Sequence, residues 1–413
     1  MLDGNTPHVV YEHIRLPNFT VITDYSFLPN GREIAIRYDQ ENKIVGSFVW
    51  NDPEGVFPEC MDGVLQASAT EYDTAFFYDY DDIGMIPISN QQYLGIPNIY
   101  RSLRANLYVT ERNQTGAHNQ YATNTAYDGT FVTFSPFYHG RGNANNMQKP
   151  WTWTAEITKY SPFNFEIENV NALGIYSSAL YGYKNSLATA VANNARYYEI
   201  GFDGFENDNN IEVGQQRGHI HCHATNNTHV SSLYAHTGNW SLQTSKLTVD
   251  IGPRSHLQLQ HGKKYIFSCW VRKENCLTSG NLGDDYSFTY NNSSVPVAKE
   301  PKVECWQRIE MEFEYDNLAN DILELELSHT INGRFFVDDI RIIPADATFK
   351  SYIYNPHNYR LIAELDENNF ATFYNYDEEG GVVQVKKETE KGIMTVKTTR
   401  QHLKAKSAQN QIH

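Results

Sequence analysis

The feature that most constrains this chain is a run of strand patterns between Tyr198 and Ile343. Within this run, residues 306–313 and 321–327 alternate apolar and polar side chains, which is the period-two signature of half-buried strands. Turns rich in Gly, Asn and Ser separate the strand patterns, and no helix-period segment of useful length interrupts them. Several short strands joined by such turns predict an antiparallel β-sandwich.

The order of short motifs in this run carries a resemblance to a known family. In chain order, the motifs are Gly204-Phe205-Glu206, His236-Thr237-Gly238 with Ser241-Leu242, the strand Tyr265 to Val271, Trp306, and Val337-Asp338-Asp339-Ile340. This order resembles that of jelly-roll carbohydrate-binding modules with a galactose-binding-like fold. The ordered set covers about a third of the chain and is more specific than any single motif.

The resemblance implies a structural calcium ion where the first and last strands of the sandwich meet. It places the ligands at Glu206, at backbone carbonyls around Thr237 and Gly238, and at Asp338 or Asp339. Carboxylate and carbonyl oxygens in an adaptable shell are the ligands that calcium prefers. The alternative is that Glu206 caps a turn while the aspartate pair is solvated at a strand end.

Composition limits the classes of protein to which the chain can belong. A length of 413 residues predicts two or three domains, and 40% hydrophobic with 20% charged residues predicts sizeable cores. The formal net charge of −16 disfavours nucleic acid as a partner, and no apolar stretch approaches membrane-spanning length. The many Tyr, Asn and Thr residues favour a secreted or cell-surface β-protein. Since residues 1–5 lack signal-peptide features, we expect either a cytosolic protein or a piece of a longer secreted chain.

Changes in pattern along the chain predict three regions. They are an irregular β-rich region over residues 1–195, the jelly roll over 196–345, and a hairpin repeat segment with a tail over 346–413. The alanine-rich stretch Ser186 to Ala195 is the one plausible helix, because Ser186 suits an N-cap and alanine favours helices. A flexible linker is the alternative for this stretch.

The C-terminal region contains a short internal repeat. The sequence Tyr352-Ile353-Tyr354-Asn355 recurs 22 residues later as Tyr374-Asn375-Tyr376-Asp377. These hairpin units resemble the tyrosine-aspartate repeats of Rhs-type proteins, and residues 166–206 resemble a joining segment of very long surface proteins of Bacteroidota. Because a repeat array usually needs about three units, we expect this strip to pair with another part of the protein or with a partner.

A histidine-rich stretch is the most tempting transition-metal motif. On a strand, alternation places His219, His221 and His223 on one face, where neutral imidazoles can bind zinc, nickel or copper. The alternative is that this is the polar outer face of a sandwich strand, and the sequence leaves both interpretations open. The five cysteines are odd in number and show no zinc spacing, so they do not decide the redox compartment.

No catalytic motif occurs in the chain, so we expect it not to be an enzyme. Sugar binding needs aromatic rings beside polar groups, and Tyr286 and Tyr290 in a polar stretch are the predicted ligand contacts. The sequence thus predicts a non-catalytic glycan-binding or adhesion module of a larger exported bacterial protein. The alternative is a structural or assembly subunit, or exported cargo, docked on a bacterial secretion or surface complex.

Overall fold

A computed structural model divides the chain into two compact units, Met1–Tyr176 and Ser177–His413. The residues that the structure describes are 9–15, 20–27, 33–38, 44–50, 64–73, 101–113, 129–133, 150–161, 163–206, 216–223, 228–252, 256–274, 286–296, 298–316, 322–327 and 334–399. Over these residues the fold is nearly all β, with antiparallel sheets, which confirms the predicted fold class. Their helical content is a single 3-10 turn at Tyr197–Glu199.

The N-terminal unit consists of antiparallel strands joined edge to edge. The strands are β1 (Val9–Arg15), β2 (Thr20–Phe27), β3 (Glu33–Tyr38), β4 (Ile44–Trp50), β5 (Gln66–Asp73), β6 (Arg101–Tyr108), β7 (Trp151–Tyr160) and β8 (Glu166–Asn171). Their order is β4-β3-β2-β1-β5-β6-β7-β8. A small core beside β5 and β6 contains Tyr108 and Phe131, whose ring centroids lie 4.9 Å apart.

The C-terminal unit contains three groups of strands. The strands are β9 (Tyr176–Gly182), β10 (Leu187–Asn193), β11 (Gly201–Asp203), β12 (Gln216–Arg217), β13 (Ile220–Cys222), β14 (His229–Ser231), β15 (Ser241–Thr244), β16 (Lys246–Asp250), β17 (Lys264–Lys273), β18 (Tyr286–Tyr290), β19 (Ser293–Ser294), β20 (Ala298–Val303), β21 (Trp306–Glu314), β22 (Ile322–Leu327), β23 (Phe335–Pro344), β24 (Thr348–Tyr354), β25 (Leu361–Leu365), β26 (Ala371–Tyr376), β27 (Val382–Thr389) and β28 (Gly392–Thr398).

These strands form a sandwich of two sheets and a third sheet beside it. The central sheet has the order β14-β15-β23-β17-β21-β20, with β11 paired to β23, and the outer sheet has the order β12-β13-β16-β22-β18-β19. Strands β28-β27-β26-β25-β24-β10-β9 follow one another in a third sheet, which we call the meander. Apolar side chains of the central and outer sheets share one core, and a second core lies between the central sheet and the meander.

Strand β23 is buried along its whole length because it lies between these two cores. Val337 and Ile340 belong to the sandwich core, whereas Ile343 belongs to the core with the meander. Such burial on both faces explains why β23 has apolar residues without strict alternation. It also means that any charged side chain on β23 must find partners inside the protein.

A β-bulge in β23 changes the direction of its side chains. The register with β17 shifts between Ser268 and Trp270, and Asp339 opposite this shift has a φ of +50°. An extra residue in one strand of a pair produces this geometry, and aspartate tolerates the left-handed conformation better than most residues. The bulge leaves both Asp338 and Asp339 outside the sandwich core, on the side of the meander.

The predicted helix over Ser186 to Ala195 is wrong. Residues Leu187–Asn193 form strand β10, which pairs with β9 and β24. Ala190 and Ala192 are buried in the core with the meander, where small side chains let neighbouring strands approach closely. Tertiary burial therefore overrides the helix propensity of alanine.

The regions that the sequence predicts differ from the units of the structure. The boundary lies at Tyr176 instead of 195, because β9 and β10 belong to the meander. The predicted hairpin segment is present as β24 to β28, and residues 400–413 of its predicted tail lie outside the described residues. In the part of the chain that the structure describes, no helix is long and apolar enough to cross a membrane.

Candidate functional site

The first and last strands of the sandwich meet where β11 pairs with β23. Directly after β11, Phe205 takes a φ of +57° and Glu206 turns towards the loop between β14 and β15. In that loop Gly238 has a φ of +66°, and a Cβ atom at this position would lie 2.4 Å from Cδ of Glu206. Only glycine therefore allows this approach.

The Glu206 side chain is held at one oxygen and left without a partner at the other. Its Oε1 accepts hydrogen bonds from the backbone N–H groups of Asn239 and Trp240. Its Oε2 is buried and accepts no hydrogen bond from any residue that the structure describes. Burial raises the pKa of Glu206 to about 7, although the two N–H donors act in the opposite direction. A buried carboxylate oxygen without a partner is costly unless a proton or a cation accompanies it.

The two aspartates of the bulge hold the same loop. Asp338 Oδ2 accepts hydrogen bonds from the backbone N–H groups of His236 and Thr237, at 2.7 and 3.3 Å. Asp339 Oδ1 accepts a hydrogen bond of 2.8 Å from the hydroxyl of Thr237. Burial, followed by the charge of Asp339, raises the pKa of Asp338 well above its ordinary value.

His236 connects this loop to both the central sheet and the meander. Its Nδ1 lies 2.7 Å from Asp339 Oδ2, and its Nε2 lies 3.0 Å from Oε1 of Glu388 on β27. The ring stacks on Trp270 at 4.1 Å, and Trp270 donates a hydrogen bond from Nε1 to the carbonyl of Asn369. Burial alone would lower the pKa of His236, but the carboxylates of Glu388 and Asp339 outweigh it and raise the pKa to about 9.

We call this group the junction cluster; its members are Glu206, His236, Asp338, Asp339 and Glu388, all buried. Besides His236, the buried guanidinium of Arg341 contributes positive charge next to Asp339. Burial lowers the pKa of Arg341 to about 9, so the guanidinium stays charged at neutral pH. With all four carboxylates ionised, four negative charges would face two positive ones, and a divalent cation would balance the excess of two.

The space beside the cluster suits a small ion. A cavity of about 20 Å³ is lined by Tyr183, Asp203, Gly204 and Glu206, among others. This volume is enough for one water-sized species. A Cβ atom on Gly204 would lie 3.2 Å from Asp339 Oδ1, so this carboxylate is close to the cavity as well.

The residues of the junction fit a calcium ion in part. Glu206 Oε2 is available as a ligand, and Asp339 Oδ1 accepts one hydrogen bond where two are possible. Both oxygens of Asp338 accept backbone N–H groups, so this side chain orients the loop. Oxygen donors and excess negative charge match the preference of calcium.

The structure brings together all five predicted metal residues, which are Glu206, Thr237, Gly238, Asp338 and Asp339. Whether they bind calcium stays a prediction. Sequence reasoning missed the role of His236 and Glu388, which are 152 residues apart. The motif His236-Thr237-Gly238 could have indicated a role for His236, whereas nothing in the sequence around Glu388 indicates that it contacts this loop.

The prediction that Tyr286 and Tyr290 lie in a polar loop is wrong. Both residues are on strand β18, with exposed fractions of 5% and 9%, inside the sandwich core. Tyr286 packs edge-on against Phe335, and Tyr290 contacts Phe313. Their buried rings leave no face on which a sugar could stack.

The three histidines do not share one face. His219 precedes β13 with a φ of +68°, is buried, and places Nδ1 2.9 Å from the carbonyl of Ile200. Burial lowers the pKa of His219 to about 4. His221 and His223 lie on the other side of the outer sheet, beside Asp250. The turn before β13 thus breaks the alternation that the sequence suggested.

An aromatic face occurs on the meander side that points away from the central sheet. Tyr352 on β24 lies directly opposite Glu364 on β25, and the Tyr374 hydroxyl on β26 donates a 3.2 Å hydrogen bond to Glu364 Oε2. Their neighbours Ile353 and Ala363 point the other way, into the core with the central sheet. Two half-buried tyrosine rings therefore flank a carboxylate on one sheet face.

We compared the chain with protein-family models, curated proteins and solved structures. No family model and no curated protein matches the chain. Among solved structures, it is similar to the CBM22-1 xylan-binding domain of Xyn10C from Paenibacillus barcinonensis, at 16% identity and a TM-score of 0.25, covering 31% of this chain and 87% of that one.

Two further similar structures come from Clostridium thermocellum Xyn10B. One is its N-terminal CBM22-1–GH10 xylanase fragment with xylohexaose, at 15% identity, a TM-score of 0.24 and coverage of 34% and 27%. The other is its C-terminal family 22 carbohydrate-binding module, at 14% identity, a TM-score of 0.22 and coverage of 35% and 93%. These likenesses are too low to carry an argument about function.

Strand order defines the class of the C-terminal unit. It is an antiparallel β-sandwich with a β-meander packed on one face and a buried ionic junction between the two. The resemblances to Rhs-type repeats and to Bacteroidota surface proteins stay predictions.

Proposed function

We propose that the chain is a non-catalytic glycan-binding module of a larger secreted or cell-surface protein. The observation that carries this proposal is the meander face where Tyr352 and Tyr374 flank Glu364. Sugars bind to such surfaces because their C–H groups stack on aromatic rings while their hydroxyls bond to polar groups. This face replaces Tyr286 and Tyr290 as the ligand surface.

Glu364 gives the face a fixed polar centre. It lies 3.9 Å from Lys350 Nζ and 3.2 Å from the Tyr374 hydroxyl. Glu364 can therefore accept a hydrogen bond from a sugar hydroxyl while Lys350 donates one. The strands beneath hold the side chains in place, because Ile353 and Ala363 anchor the same strands in the core.

Binding to a glycan array that includes xylo-oligosaccharides tests this proposal. For any glycan that binds, we expect Tyr352→Ala or Tyr374→Ala to weaken binding at least tenfold, or roughly 1.4 kcal/mol. Tyr359→Ala is the matched control, because Tyr359 is an exposed tyrosine in the turn between β24 and β25. Absence of binding to every glycan, or equal losses in all three variants, would refute the proposal.

Calcium at the junction cluster is a second part of the proposal. Glu206 Oε2 and Asp339 would hold the ion, with backbone carbonyls of Thr237 and Gly238. The ion would supply the charge that balances the buried carboxylates and would stabilise the pairing of β11 with β23. The unpartnered Oε2 atom and the neighbouring cavity support this assignment.

Thermal unfolding with calcium and with chelator tests the ion. Calcium at 100-fold its dissociation constant contributes about 2.7 kcal/mol, which raises the midpoint by roughly 5–10 °C. Glu206→Gln should remove this increase, whereas Glu312→Gln, at an exposed position on β21, should retain it. Equal midpoints with calcium and chelator in the unsubstituted protein would eliminate the calcium site.

An assembly role is favoured by one observation. On β28, at the end of the meander, the exposed fractions of Met394 and Val396 are 59% and 63%. An exposed apolar edge strand is a common site for pairing with another strand. Light scattering tests this role: a concentration-dependent oligomer that Val396→Lys abolishes would support assembly through β28, and a monomer at all concentrations would oppose it.

A further inference from the structure

The outer sheet brings two histidines and an aspartate together on the face opposite the sandwich core. His221 on β13 lies directly across from Asp250 on β16. The N–H of His223 continues this pairing with a 2.9 Å hydrogen bond to the carbonyl of Thr248. Because Ile220 and Cys222 point into the core, alternation sends both imidazoles to the other side. The backbone pairing of β13 with β16 thus fixes the Cα positions of all three residues.

The side chains converge on the two oxygens of one carboxylate. His221 Nδ1 lies 2.6 Å from Asp250 Oδ2, and His223 Nε2 lies 2.7 Å from Asp250 Oδ1. One ligand atom from each residue lies within 4.8 Å of the others. Metal–ligand bonds of about 2 Å place neighbouring ligands roughly 3–4 Å apart, so the contacts of 2.6 and 2.7 Å would lengthen by about half an ångström or more to admit an ion.

The geometry at His223 separates this group from an ordinary hydrogen-bonded pair. Its Nε2 is buried and, among the residues that the structure describes, has no hydrogen bond of acceptable direction, although Asp250 Oδ1 is only 2.7 Å away. A nitrogen and an oxygen this close need a hydrogen atom or a cation between them. A metal ion bound to both atoms satisfies them without an N–H directed at the oxygen.

Exposure and ligand type indicate which ions can bind. The side chains of His221 and His223 are 21% and 30% exposed, while Asp250 is 6% exposed. Solvent therefore reaches part of each imidazole ring, whereas the carboxylate of Asp250 is buried beneath the two rings. Two imidazoles and one carboxylate favour zinc, cobalt, nickel or copper over calcium and magnesium, which prefer oxygen ligands.

We propose that His221, His223 and Asp250 form a binding site for a divalent transition metal of the zinc type. With three protein ligands on a sheet face, a fourth position remains for water or a ligand atom. The site is separate from the junction cluster, which lies beyond the sandwich core on the other side of the central sheet. It does not depend on glycan binding or on calcium.

Titration of the full-length chain, free of any histidine tag, with Zn²⁺ and Co²⁺ tests the site. We expect one ion per chain at this site and the visible absorption of four-coordinate Co²⁺. His221→Ala and His223→Ala should each weaken binding at least tenfold. His229→Ala is the matched control, because His229 is exposed on β14 of the central sheet, and it should bind as the unsubstituted chain does.

Two outcomes would overturn the proposal. One is the absence of metal uptake by the unsubstituted chain, and the other is uptake that neither substitution weakens. Unfolding in metal-free buffer shows whether each variant is folded, and His223→Asn, which keeps a polar side chain, replaces His223→Ala if the latter does not fold. Loss of the Co²⁺ absorption in a folded variant assigns the ligand directly.

Discussion

Two groups of histidines and carboxylates lie on opposite sides of the sandwich core. In the junction cluster, both nitrogens of His236 face carboxylates, and every member is buried. On the outer sheet, His221 and His223 share the one carboxylate of Asp250 and are reached by solvent. Similar residue types thus occur in two settings, one enclosed by the meander and one at a surface.

The difference teaches how burial decides the role of a histidine–carboxylate group. A buried ion pair must be satisfied by the protein itself, because removal of one partner leaves an uncompensated charge away from water. Where the side chains are partly exposed, water lowers the cost of a missing partner. We therefore interpret His236 as structural and His221 with His223 as a binding site.

The largest effect should come from breaking the junction. Glu388→Ala leaves His236 without one of its carboxylates and removes the acceptor for the N–H of Ala371. We expect a loss of about 3–5 kcal/mol in the free energy of unfolding, measured by denaturant titration. Glu390→Ala, at an exposed position near the same strand, should change it by less than about 0.5 kcal/mol. Equal effects of the two substitutions would show that His236 does not depend on Glu388.

An intermediate loss in the free energy of unfolding should come from a substitution in the loop between β14 and β15, whose backbone N–H groups bind Glu206. Gly238→Ala would place a Cβ atom 2.4 Å from Glu206 Cδ at a positive φ, and we expect a loss of about 2–3 kcal/mol. Gly262→Ala has a similar φ of +77° but meets no atom within 4 Å, so only backbone strain of about 1 kcal/mol remains. The difference between the two variants in denaturant titration isolates the clash. A Gly238→Ala loss no larger than that of Gly262→Ala would contradict the close approach.

The smallest loss in the free energy of unfolding should come from substitution of Asp250 in metal-free buffer. Asp250 is itself buried, but Asp250→Asn keeps an acceptor for one imidazole and both imidazoles are partly exposed, so the expected loss is about 1 kcal/mol. The same variant should no longer gain stability when Zn²⁺ is added. A metal-free loss above about 2 kcal/mol would mean that Asp250 is as structural as Glu388, which would end the contrast between the two groups.

Much of the fold could be predicted from the sequence because half-buried strands leave a local signal. In β21, the period-two pattern from Met311 to Glu314 follows from one face in the core and one face in water. The motif around Glu206, Thr237 and Asp339 also located the junction of the first and last strands. Local patterns were insufficient where burial on both faces removed the alternation, as in β23, and where alanines also suit a helix, as in β10.

The errors at the candidate sites have the same origin. Tyr286 and Tyr290 are surrounded by polar residues in the sequence, yet strand β18 turns both rings into the core. The place of His219 depends on the turn before β13, in which Gly218 and His219 itself both have a positive φ. Neither the direction of a side chain nor a single turn conformation is encoded in residue type alone.

By itself, the sequence determined an antiparallel β fold and the hairpins near the C-terminus, because these follow from local periodicity and turn residues. The position of the sandwich junction came from the resemblance of the ordered motifs to those of jelly-roll modules. Only the tertiary structure decided that His236 joins Asp339 to Glu388 and that His221, His223 and Asp250 converge on one point. The physical reason is that these contacts depend on strand register, on the bulge at Asp339 and on which face the meander covers. Burial then favours a structural role for the first group, and partial exposure of the imidazoles favours the proposed binding role for the second.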